Sequence, residues 1–319
     1  MQYTNRLKLK KPDGTDIVNI EDINANMDII ESRLAGYIGF IIAAPDAVNK
    51  ERADLILTGD PEADRAAIQN AINTLHNMRA STDVPVIIDF IGGKLGLGYI
   101  LENDHAIYVN YNKIYLYFNG MEVTKCSESV GSCTIYVSGE NCIIDGLIIK
   151  DEGSGDGIYI KNGTLINCYA NCYHRGITAF DSILYNCAGT SDYIGIYVNN
   201  SKALNCVGIA TNYGIDALNS YLSNCAGTSD YIGINANNSN LLFCSGISNS
   251  IHGIEASSCK LLGCTGSGYI DGIYAVSDNN IIIGCDGTDG GIYVYTNSSY
   301  PNTYELLSQF NKGEIVIVG

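Results

Sequence analysis

The chain has no Trp and only five Pro in 319 residues, and only 16% of its residues are charged. Its longest apolar run, near Ile38–Ala44, is far too short to cross a bilayer as a helix. The opening MQYTNRLKLKKPDG lacks the apolar stretch of a secretory signal. A protein of this kind that acts outside its producing cell is expected to leave by lysis, by particle assembly or by dedicated export. Cations are scarce: 18 Lys and Arg stand against 34 Asp and Glu, a net charge of −16. Nucleic acid would be repelled, because its recognition depends on Lys and Arg at the phosphates. An anionic membrane surface is disfavoured for the same reason, whereas a neutral or cationic glycan is compatible. No GxSxG, HExxH, P-loop or zinc-type spacing occurs, and neither a cofactor nor a metal is expected.

What is abundant is Gly, at 35 residues, and Tyr, at 23 against six Phe. Such a composition suits a turn-rich β repeat, with an aromatic that tolerates a half-wet surface. Twelve Cys are present. Cys168, Cys187, Cys206, Cys225 and Cys244 stand 19 apart, and Cys264 and Cys285 follow at 20 and 21. A repeat position sets them, not a C-x-x-C pairing. They read as a stacked column of small, inert core thiols, in preference to disulfides or metal ligands.

The same period governs the rest. Gly-Ile pairs fall at 157, 176, 195, 214, 233, 253, 272 and 291, with steps of 19 and a single step of 20. The phrase NCAGTSDYIGI occurs at 186–196 and again at 224–234. Units this thin cannot bury an apolar face alone and must stack. In each unit the Ile and the residue two later (Ile160, Ala179, Val198, Ala217, Ala236, Ala256, Ala275, Val294) alternate with polar or Tyr positions, so both apolar columns point inward. Alanine in that column indicates a narrow core. Asn167, Asn186, Asn205 and Asn224 precede the Cys column, where stacked amides can bond coil to coil and Asn accepts left-handed geometry. With no helical period and no strict hexapeptide, the expected fold is all-β: a single-stranded, right-handed parallel β-helix of about 19 residues per coil.

Flanking segments divide the chain into 1–36, 37–125, 126–297 and 298–319. In the first, Asn19 and Asp22 cap a helix whose Ile20, Ile23, Met27, Ile30 and Leu34 form a two-heptad seam. It suits either a bundle of symmetry mates or a helix packed on its own chain or on a partner. In the second, Asp60-Pro61 starts a helix with Ile68, Ala71, Ile72, Leu75 and Met78 on one face. It is expected to lid the open solenoid end. The last segment reads as a cap with a final strand at Glu314–Val318.

PEADRAAIQNAINTL at 61–75, followed by VIIDFIGGKLGLGYIL, resembles the opening coils of pectin-lyase-like right-handed β-helices, including phage tailspikes. Gly92-Gly93 and Tyr99 match that pattern, across an insertion. LKLKKPDGTDIVNIEDINANMDIIES resembles the start of tail fibre and baseplate-appendage proteins of phages and phage-like particles. Together these resemblances cover about a third of the chain. They imply a host-recognition appendage on a virion or phage-like particle tail, held to a baseplate or tail protein by residues 1–36, and commonly a homotrimer. They carry over no catalytic residues.

The outward column after each Gly-Ile holds Tyr159, Thr178, Tyr197, Asp216, Asn235, Glu255, Tyr274 and Tyr293. Asp216 and Glu255 are candidate acid and base, spaced as an inverting glycosidase needs. Tyr197, Asn235, Tyr274 and Tyr293 are candidate contacts to a host cell-surface polysaccharide. The plainer reading is a solvated face whose acids keep the shaft soluble, and it is preferred over catalysis. Asp192 and Asp230 read as turn residues, and His174, Arg175 and Asp156 as a surface cluster. The leading expectation is a receptor-binding appendage without insertion into the membrane. A polysaccharide depolymerase is the alternative, and a purely structural spacer the third.

Overall fold

The computed structural model describes residues 2–3, 10–11, 38–79, 83–98, 105–125, 133–150, 155–276, 279–295 and 315–318. The seam at 20–34, Tyr99 and most of the terminal cap lie outside the described residues. Each coil supplies one strand to each of three parallel sheets. In one coil these are Ile194–Asn199, Lys202–Leu204 and Val207–Ala210, and they define sheets I, II and III. The isoleucines of the Gly-Ile pairs form one file in sheet I, each paired with the next from Ile158 to Ile292. All are buried, as is the inner column from Ile160 to Val294. Burying each Ile contributes roughly 1.5–3 kcal/mol, and the stack makes that burial continuous. This is the right-handed parallel β-helix expected. The final strand is Ile315–Val318, paired in parallel with Ile292–Tyr295.

Corners repeat as faithfully as strands. Between sheets II and III, Asn167, Asn186, Asn205 and Asn224 all have φ between 52° and 55°. Asn186 Nδ2 donates to Asn167 Oδ1, and Asn205 Nδ2 to Asn186 Oδ1, each at 3.2 Å. A second left-handed column at the corner between sheets I and II carries Asn162, Asp181, Asn200, Asn219 and Asn238. Inside that corner Ser182, Ser201, Ser220 and Ser239 form a buried ladder: the Ser182 hydroxyl accepts from Gly163 N at 3.2 Å, and each later hydroxyl accepts from the preceding serine's backbone N–H at 3.0–3.2 Å. At the III–I corner the sheets meet glycine to glycine. A Cβ on Gly195 would stand 2.5 Å from Ile209 N and 2.6 Å from Gly214 O. All eleven described cysteines are buried. Burial pushes the Cys142 thiol up to about 11.

The helix α1, Pro61–Met78, starts at Asp60, whose side chain accepts from Ala63 N at 2.8 Å. Ile68, Ile72 and Leu75 are buried in the first coils, whereas Met78, expected on the same face, is 69% exposed at the helix end. α1 covers the edge of sheet I. There the first strand, His105–Val109, has no preceding strand to pair with among the described residues. Gln69 takes that role: its Nε2 donates to Tyr108 O at 2.8 Å, and its Oε1 accepts from Tyr108 N at 3.0 Å. Gln69→Leu should remove both bonds at similar volume and lower stability by about 1–3 kcal/mol. Urea unfolding followed by circular dichroism measures it, and an unchanged midpoint would refute this role.

Candidate functional site

The solvent face of sheet I carries two files that sit three residues apart on each strand. The first file holds the residue before each Gly-Ile pair, including Arg175, Ile194, Tyr213, Ile232, His252 and Asp271. The second holds Tyr136, Tyr159, Thr178, Tyr197, Asp216, Asn235, Glu255, Tyr274 and Tyr293, all in register. Most of this face is a stack of rings. Tyr136 and Tyr159 stand 4.4 Å apart, Tyr159 and Phe180 5.5 Å, and Phe180 and Tyr197 5.6 Å. Towards the C-terminus the stack resumes with His252 on Tyr274 at 4.3 Å and Tyr274 beside Tyr293 at 5.4 Å. Between these runs the second file reads Asp216, Asn235, Glu255. The aromatic stack is thus interrupted over three rungs by polar side chains.

These side chains are half-buried. Asn235 Nδ2 donates to Asp216 Oδ1 at 2.9 Å. Burial pushes the Asp216 carboxyl above its ordinary range, while the Asn235 bond and the Arg175 charge draw it back. Burial alone raises Glu255 and Asp271. His252 is pushed down by burial, towards the neutral imidazole. Its Nδ1 stands 3.1 Å from Asp271 Oδ2, close enough for an ion pair but out of hydrogen-bonding alignment. Tyr213 is raised by burial first and by Asp216 next. Tyr193 and Tyr231, at the corner leading into sheet I, are 42% and 46% exposed and border the strip. Arg175 lies 5.0 Å over the Tyr197 ring.

Asp216 and Glu255 therefore occupy the same file two rungs apart, roughly 9–10 Å between Cα atoms at strand spacing, with Asn235 between them. The faces of Tyr197, Tyr274 and Tyr293 are directed at neighbouring side chains along the axis. His174 bonds Asp156 at 2.7 Å, while Arg175 turns away to Tyr197. Asp230 accepts from Asn249 Nδ2 at 2.9 Å at its turn. Among the described residues no group of His, Cys, Asp or Glu is arranged to hold a metal.

No family model and no curated protein matches the chain. Among solved structures, the ORF18 protein of Geobacillus virus E2 has this fold, with a TM-score of 0.62 and 15% identity over 95% of this chain. The match spans 65% of that protein's length. The A-modules of the Azotobacter vinelandii mannuronan C-5 epimerases AlgE6 and AlgE4 align at 0.48 and 0.47. Each is 13% identical over 82% of this chain and covers 97% and 98% of the module respectively. At these identities the likeness is one of fold.

His252, Asp271 and Tyr213 escaped the sequence reading because strict alternation assigns the residue before Gly-Ile to the inside. Positions three apart nevertheless share the outer face: His105 and Tyr108 stack in parallel planes 5.9 Å apart. The signal was there to be used, since that position is occupied by Asp156, Arg175, Tyr213, His252 and Asp271. The folded pKa of Glu255 lies above its unfolded value, so its charge costs stability at neutral pH and the cost fades on acidification. Solvent access keeps the effect small. Glu255→Gln should raise Tm at pH 7 by about 1–2 °C. The gap should close as pH falls through the raised carboxyl range towards about 4.3. Calorimetry across pH 4–7 tests this, and a lower Tm for the variant at pH 7 would contradict it.

Proposed function

We propose that the chain is a tail fibre- or tailspike-like appendage of a phage or phage-like particle that binds a host cell-surface polysaccharide on the solvent face of sheet I. In this reading residues 1–36 hold it to a baseplate or tail protein, the β-helix is the shaft, and the working assembly is a homotrimer acting outside the producing cell. The observation that carries the binding function is the three-rung interruption of the aromatic stack. A face built only for solubility has no use for half-buried carboxylates, whose desolvation is costly. The tail location is supported by the resemblance of the N-terminal segment to appendage proteins and by the sharing of this fold with a phage protein. No helix among the described residues is long and apolar enough to cross a membrane.

A second reading, a polysaccharide depolymerase, is favoured by one observation. Asp216 and Glu255 flank a neutral amide rung, and burial raises both, as a general acid requires. The purified full chain, incubated with candidate host wall polysaccharides and scored for retention and for chain shortening, separates the readings. Retention without shortening, weakened at least about tenfold in Asp216→Asn, is the expected result. Shortening that Asp216→Asn abolishes would replace it with the depolymerase. No retention on any wall polysaccharide would leave a structural spacer.

A further inference from the structure

Three carboxylates, Asp216 and Glu255 on the interrupted strip and Asp271 on the next rung, have only the charge of Arg175, acting on Asp216, set against them. Asp216 is held by an uncharged amide. Glu255 has no hydrogen bond or ion pair among the described residues. Asp271 faces His252, which is itself 91% buried, with an Nδ1 that has no aligned partner and lies against the Asp271 carboxylate. The nearest arginine, Arg175, lies two rungs back, over Tyr197. The strip is therefore short of positive charge and of hydrogen-bond donors, and tyrosine rings border it. Resting on the reading of this face as a glycan site, we propose that its ligand is a glycan carrying free amino groups, held as ammonium ions between these carboxylates and the bordering tyrosines.

An ammonium brings three donors and a charge to acceptors that have neither. Exposed Tyr193 and Tyr231 can add cation–π contact. An N-acetylated sugar would cover the same carboxylates without neutralising them, and a uronate or phosphate would be repelled by each one. The overall charge of −16 would draw a cationic chain towards the surface from a distance.

Calorimetric titration of the full chain at physiological ionic strength tests this with three probes: a glucosamine hexasaccharide, its fully N-acetylated counterpart and a galacturonate hexasaccharide. The free-amine probe should bind at least about tenfold tighter than the acetylated one, and the galacturonate should not bind. Glu255→Gln and Asp271→Asn should each weaken the free-amine probe by about 5–10-fold. The exposed, off-face variants Glu51→Gln and Glu140→Gln should leave it unchanged. Equal weakening by off-face variants would mean diffuse charge attraction and overturn the proposal. So would equal or better binding of the acetylated or galacturonate probe. If a probe without amines binds and Asp216→Asn abolishes it, the glycan face stands and the amine preference falls. If no hexasaccharide binds, the amine preference falls, and the wall-polysaccharide retention assay decides the glycan face separately.

Discussion

Register between successive coils is the constraint from which the rest of this structure follows. Each strand's N–H and C=O groups are satisfied by the equivalent strand one coil away, so the backbone must repeat its path coil after coil. A deviation within a strand would unpair both neighbours. The single step of 20 shows where deviation is tolerated. Ser229 pairs with Ser248, and Ile232 with His252. The added residue therefore falls at 249–251, in the corner between sheets III and I, and every strand keeps its partner. Ser248 absorbs it, its hydroxyl accepting from Ile251 N at 3.0 Å and Ser250 N at 3.2 Å.

That repetition decides which residues are readable from sequence. The Ile file, the Cys column and the Asn ladder were legible because each rests on one residue type at one interval, with one physical reason to be there. Phe243 shows how far the backbone path overrides local preference. It takes the left-handed geometry of its column, φ 50°, where Asn stands in the four preceding coils and glycine in later ones, although a bulky side chain disfavours that region by roughly 1–2 kcal/mol. The serine ladder was not legible. Ser182, Ser201 and Ser220 look like turn residues, and their burial, shared by Cys259 and Asn280 further along the same column, follows from the corner they line. Gln69 was illegible for another reason. Its task is set by the missing partner of a strand nearly forty residues away, and helical periodicity says nothing about that.

The candidate site was legible in half. Asp216, Asn235 and Glu255 were found by counting from Gly-Ile, because their column alternates regularly. His252 and Asp271 were missed, because a period of two places positions three apart on opposite faces. The expected sugar-stacking tyrosines illustrate a different limit. A column of rings at strand spacing lies close enough to contact its neighbours: Tyr274 stacks on His252 and is tilted 36° to Tyr293, while Tyr197 lies under Arg175.

Self-stacking gives the interruption its meaning. On this face the low-energy solution is a continuous ladder of rings or β-branched residues, each covering the next, and the chain uses rings over most of its length. Three rungs depart from it, and the two carboxylates they hold are partly buried with only the Arg175 charge, acting on Asp216, to offset it. A solenoid can carry such a fault because each coil touches only its neighbours, so the cost stays local and the remaining coils hold the register. Stability given up in one confined place, on an otherwise regular surface, is the pattern expected where binding sets the residues and folding does not. Replacing the three polar side chains by rings would give the more regular shaft, and the chain's departure from that simpler option is the physical reason to assign the face a ligand.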